Sequence, residues 1–153
     1  MSLTRKNTPF LIITKVMYQF VSNVLTIETG STPFTRRVTF VTGTSWLDIP
    51  FSPGTASFAE PEVKTNHGPQ FNQLLKIRFS EDTADFVADL QKIDMLPFIV
   101  KITLSDGSSK IIGTIGNPAR HLSNFITDRD HTADEFSFSC TSQHRAYILE
   151  AVV

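Results

Sequence analysis

The stretch FIVKITLSDGSSKIIGT, Phe98 to Thr114, constrains this chain more than any other part of it. Phe98, Val100, Ile102 and Leu104 occupy alternate positions and so share one face of a strand, while Lys101 and Thr103 interrupt the apolar run on the other. One face is therefore core. Asp106-Gly107, inside Ser105 to Ser109, supplies the positive backbone angles of a tight connection, and Ile111 and Ile112 restart the apolar run at once. The stretch reads as a β-hairpin around which the other segments can be arranged.

Those segments repeat the strand signal. Val16 to Val21 and Val24 to Thr29 flank a possible Ser22-Asn23 turn, although the apolar spacing of residues 10–21 also fits a helix face. Phe34 to Val41 alternates with Phe34, Arg36, Val38 and Phe40 on one side and Arg37 on the other; Thr44 to Ile49 follows, and two prolines close that region in Pro50 to Gly54. Phe58 to Thr65 reads as a strand bent or placed at an edge by Pro61, and Gln70 to Phe79 as a long one. Ser80 to Asp94 is the one helical pattern, with Phe86, Val87, Leu90 and Ile93 on one face and acidic residues in its first turns. Arg120 and His121 fall in a loop, Leu122 to Ile126 is ambiguous, and Asp128 to Glu135 reads as an acidic loop. Phe136, Phe138 and Cys140 then alternate with small polar residues, and Ala146 to Val152 forms a last strand.

Thirteen phenylalanines against one tryptophan and two tyrosines, with many β-branched residues, favour strands over helices. The expected fold is mainly β, an antiparallel β-barrel or sandwich with one flanking α-helix at about 80–94. At 153 residues the chain suits a single β-rich domain, 10–153, preceded by a flexible N-terminal arm, 1–9. Cys140 has no partner for an internal disulfide, and its alternation with Phe136 and Phe138 assigns it a structural place in the core. No apolar run reaches the roughly 18 residues of a membrane span. The formal net charge of -1 provides no general attraction for nucleic acid or an anionic membrane.

Chemical signatures are sparse. The four histidines lack metal-ligand spacing, and Thr127 to Glu135 has oxygen donors without the glycine and terminal glutamate of a calcium loop. Gly113 to Arg120 lacks the third glycine and the helix of a phosphate-binding loop. Cys140 and His144 suggest a thiol pair less well than a core cysteine beside a loop histidine. Arg36, Arg37 and Trp46 suggest a single-strand nucleic-acid surface less well than ordinary strand faces or a protein interface. The expectation is no enzyme, with no catalytic, cofactor-binding or metal residues and no cofactor.

From Ala56 onward the order of an extended segment FAEPEVKTNHGPQF, then LLKIRFS, a helix, the hairpin, a Gly-Asn-Pro turn and the alternation FSFSCTSQHRA resembles small proteins carried by phages and prophages of Bacteroides-like bacteria, usually placed among tail or neck genes. The resemblance implies a virion structural protein, a tail, tail-terminator, neck or baseplate subunit. It would be made in the bacterial cytoplasm and act by self-assembly in a ring or other symmetric assembly and by contacts with other virion proteins. It implies no membrane and no sequence-specific nucleic acid among the partners, and no functional residue is carried over from it. The alternatives are a carbohydrate- or peptide-binding β module, which needs an aromatic cleft, and a small hydrolase, which needs a nucleophile, base and oxyanion donor.

Charge locates candidate contacts. Residues 1–79 hold 8 Lys/Arg and 4 Asp/Glu, and residues 80–153 hold 6 and 11, so the halves carry +4 and -5. A heterologous contact joins unlike patches. Arg36 and Arg37 are the basic candidates and Asp128, Asp130, Asp134 and Glu135 the acidic ones, with Phe10 and Leu11 as apolar contacts.

Overall fold

The computed structural model describes residues 11–52, 54–79, 91–127 and 132–150, with residues 123–127 and 132–134 described as backbone only. The expected arm, 1–9, and most of the expected helix, 80–90, lie outside them. Twelve strands are described. They are β1 (Ile13–Phe20), β2 (Val24–Thr29), β3 (Thr35–Phe40), β4 (Leu47–Asp48), β5 (Ser57–Ala59), β6 (Glu62–Thr65), β7 (Gly68–Phe79), β8 (Phe98–Leu104), β9 (Ser109–Ile112), β10 (Arg120–Thr127), β11 (Thr132–Ser142) and β12 (Tyr147–Leu149). Residues 91–95 are helical, and the N–H of Leu96 bonds the carbonyl of Lys92.

The strands form two sheets. One runs β2-β3-β12-β9-β8-β1-β4 and the other β10-β11-β7-β5, with β6 pairing farther along β7. All pairs are antiparallel except β12 with β3. Each order has two ends among the described residues, so the barrel alternative is corrected: neither sheet closes on itself.

The helix alternative for residues 10–21 gives way to β1, because Val16 and Tyr18 alternate into the core at the period of a strand. β1 and β2 are joined by one 3-10 turn, Val21–Asn23. The long strand expected from Phe58 to Thr65 splits into β5 and β6 around Glu60-Pro61, since proline has no N–H for the ladder. Of Thr44 to Ile49 only β4 is strand. Two loop expectations are corrected. Arg120 and His121 begin β10, and residues 132–135 of the expected acidic loop belong to β11, where Glu135 lies across from Arg78 and Asp134 from Phe79.

The anchoring hairpin is present with a different turn. Leu104 and Ser108 close a three-residue loop, and only Gly107 has a positive φ, 86°. A turn followed by one left-handed residue is the usual three-residue solution, and glycine adopts that residue without steric cost. The Asp106 carboxylate accepts bonds from the Ser108 N–H at 2.9 Å and hydroxyl at 2.6 Å, which hold its carboxyl below the usual aspartate range.

The core is in two parts. The first lies between the sheets and joins Val16, Val100, Ile102 and Ile112 of one to Leu75, Ile77, Phe136 and Phe138 of the other; Ile93 of the helical residues is buried in it. The second comprises Val24, Val38, Ile99 and Ile111, with Phe40, Trp46 and Leu149 against it. The hairpin strand β8 was expected to have one core face, and it has two: Phe98, Ile99 and Val100 are buried in succession. Such continuous burial marks a strand covered on both sides.

Candidate interaction surface

The last strand decides how the arginine pair is used. β12 inserts between β3 and β9 and so ties the β2-β3 hairpin to the remainder of its sheet. Main-chain bonds flank the parallel ladder at both ends, Ile148 N–H to the Phe34 carbonyl at 3.0 Å and Glu150 N–H to the Arg36 carbonyl at 2.8 Å. Arg36 and Arg37 then reinforce it from opposite sides of β3. The Arg36 guanidinium lies 3.6 Å from the centre of the Tyr147 ring and donates to the carbonyls of Pro33 and Thr35. Arg37 grips Glu150 with two donors, Nε to Oε2 at 3.2 Å and an Nη to Oε1 at 3.3 Å.

Glu150 also accepts from the Ser31 N–H at 3.0 Å, so these donors hold its carboxyl below the usual glutamate range and push the Arg37 guanidinium up. A Cβ at Gly30 would run into the Glu150 carboxylate and the Thr35 hydroxyl, so a side chain there would displace Glu150 from its present position. The acids Asp128, Asp130, Asp134 and Glu135 were expected to meet Arg36 and Arg37 across a contact between copies; within the chain the partner of Arg37 is Glu150.

Beside this seam the outer face of the larger sheet carries a groove of about 560 Å³, lined among others by Val38, Phe40, Trp46, Lys101, Ser108 and Leu149. Trp46 packs edge-on against Phe40, with ring centres 5.1 Å apart, and Lys101 sits 5.7 Å from its ring centre. Burial, with the Lys15 charge a lesser contribution, pushes the Lys101 ammonium down from its ordinary pKa. The groove is thus apolar at its floor and carries charge at its rim.

The other expected contact residues are scattered. Phe10, Asp128 and Asp130 lie outside the described residues. Leu11 is half exposed just before β1. Asp134 is placed in β11 by its backbone register, and Glu135 pairs with Arg78 at 3.3 Å across the β7-β11 ladder. Arg36 and Arg37 are therefore not brought together with Asp134 or Glu135 within the chain. Cys140 is buried with its Sγ 3.6 Å from the Asn117 carbonyl, and burial raises its thiol pKa, as suits an unreactive core sulfur.

His121 is the nearest approach to a catalytic group. Its ring lies against Phe136 and Phe138, its Nδ1 is 2.6 Å from Asp94, and its buried Nε2 has no hydrogen-bond partner among the described residues. With the side chain 2% exposed, that nitrogen has no access to a substrate, so the pair fastens the helical residues to β10. Among the described residues no cluster of three potential metal ligands occurs, and no helix is long and apolar enough to cross a membrane.

A second concavity of about 480 Å³ opens where the 143–146 loop meets both sheets. Glu60, between β5 and β6, reaches into the loop and accepts the Ala146 N–H at 2.9 Å, and Gln73 of β7 donates to the His144 carbonyl at 3.2 Å. His144 stacks on Tyr147 with ring centres 4.1 Å apart. Two groups this close to the ring centre must take its opposite faces, so Tyr147 is clamped between His144 and Arg36. Sequence reasoning missed Glu60, His144, Arg145, Tyr147 and Glu150 as members of these sites. The mixed aromatic and charged run HRAYILE was the available signal, but its pairing partner is more than a hundred residues away.

Comparison with protein-family models, with curated proteins and with solved structures found no match to the chain.

Proposed function

We propose that the protein is a structural subunit of a phage or prophage virion, of the tail, tail terminator, neck or baseplate, whose two sheets pack as a sandwich. It works by association with copies of itself in a symmetric assembly and with neighbouring virion proteins. The observation that carries the reading is the apolar outer face of the seven-stranded sheet, with its groove open beside Trp46 and Leu149. An exposed apolar concavity rimmed by polar groups suits a protein contact. The occupant is a different patch of another copy, the heterologous contact that a ring requires.

Reversing the charge of Arg36 and Arg37 is a poor test, because it also breaks the intrachain seam. Ser108 is exposed at the groove and on a turn, so Ser108→Arg places a bulky charge there without removing a core side chain. Sedimentation velocity over a range of concentrations should show the wild type forming oligomers and Ser108→Arg remaining monomeric, with a melting temperature lowered only by the loss of the exposed hydroxyl bond to Asp106. A wild type that stays monomeric up to about 100 μM, or oligomers indifferent to Ser108→Arg, would overturn the reading.

A further inference from the structure

The cleft between the 143–146 loop, β7 and β9 meets the groove only at Ile148 and has the makings of a ligand site. Its volume of about 480 Å³ falls within the range of small-molecule pockets. Three features define what it would accept. Phe34 is 74% exposed at the cleft although its carbonyl is tied to Ile148, and Phe71 lies on the facing sheet. Tyr147, clamped on both faces, offers only its edge.

The charge is lopsided. Lys110 has no ion pair among the described residues, and its ammonium sits 5.8 Å from the centre of the Phe58 ring. Arg145 lies over Phe71 and touches Glu60 only at 3.7 Å, with its side chain 66% exposed. Glu60 is committed to the Ala146 N–H and is itself almost wholly buried. Two cations thus face one carboxylate, whose Oε1 accepts from Ala146 and whose Oε2 faces Arg145, so the cleft carries one positive charge in excess.

We infer that this cleft binds an organic carboxylate carried on an aromatic or branched apolar group, the apolar part against Phe34 and Phe71 and the carboxylate between Lys110 and Arg145. Planar guanidinium donors with an adjacent ammonium suit a carboxylate, and desolvation by the aromatic walls strengthens that contact. A neutral sugar fits less well, because it leaves the surplus cation of the cleft unmatched. The same chemistry occurs in a small aromatic acid and at the C-terminus of a peptide.

The test is titration of the 15N-labelled full chain, followed by amide NMR shifts, with phenylacetate, N-acetyl-phenylalanine and the amide of the latter. Both acids should shift the amides of Phe34, Lys110 and residues 144–148 saturably, and the amide should bind at least about tenfold more weakly. The tighter of the two acids names the source, small acid or peptide end. Lys110→Met should weaken the acids about tenfold while the remaining amides keep their positions, and Phe34→Ala, a change at an exposed side chain, should weaken all three probes. Equal binding of acid and amide, shifts centred on Trp46, or no saturable shift up to about 20 mM would overturn the inference.

Discussion

The inner face of the seven-stranded sheet meets a second sheet, while the outer face meets Trp46 and the side chains around it. Inside, large residues cross the layer in pairs, such as Phe98 and Phe138 with ring centres 6.0 Å apart, and regular strands hold both partners. Outside, Ile99 and Ile111 are as fully buried as the inner residues, yet Trp46 belongs to the loop before the two-residue strand β4. Equal burial is therefore reached under paired strands on one side and, in part, under a loop residue on the other. The inner face suits stability and the outer face, with its open groove, suits contact.

The strongest way to break this contrast is to hollow each cover in turn. Phe138→Ala should cost about 3–5 kcal/mol in urea unfolding, since neighbours fixed in two sheets relax poorly into the cavity. Trp46→Ala should cost less, about 1–2 kcal/mol, because its loop can settle onto Phe40. It should also increase binding of a hydrophobic dye by uncovering the second cluster. If both changes cost the same, the outer cover is as rigid as the inner one and the contrast fails.

The smallest effect concerns the seam beside the groove. Arg37 and Ser31 donate to Glu150 and lower its folded pKa, so its contribution is complete above the ordinary glutamate value of about 4.3 and fades as pH falls through the lowered one. The gap in melting temperature between wild type and Glu150→Gln should accordingly be present at neutral pH and close on acidification. The pair is solvent-exposed, so the gap should also narrow in high salt. A gap independent of pH would assign the seam to its main-chain bonds alone.

Short-range features were legible from the residues themselves. β2 has the expected bounds, the β8-β9 hairpin lies where Asp106-Gly107 placed it, and Cys140 is buried beside Phe138. These follow from alternation at a period of two and from glycine's backbone freedom, both properties of neighbours in the chain. Residues 132–135 misled because composition reported the acidity of their segment while the ladder of β7 and β10 decided their backbone, which is strand from Thr132 onward.

The sites belong to the second class. Arg36 and Arg37 stood out as a charged pair, and alternation put them on opposite faces, but nothing near them named Tyr147 and Glu150 as partners. That pairing exists because β12 enters the sheet parallel to β3, joining residues 113 positions apart. The second core cluster has the same origin, since Ile99 faces outward on β8 and becomes buried only when Trp46 and Phe40 close over it. Sequence by itself determined which segments are strands and which faces are apolar, through local stereochemistry and alternation; the tertiary structure alone decided which faces meet, because strand pairing is a long-range competition that no local residue pattern encodes.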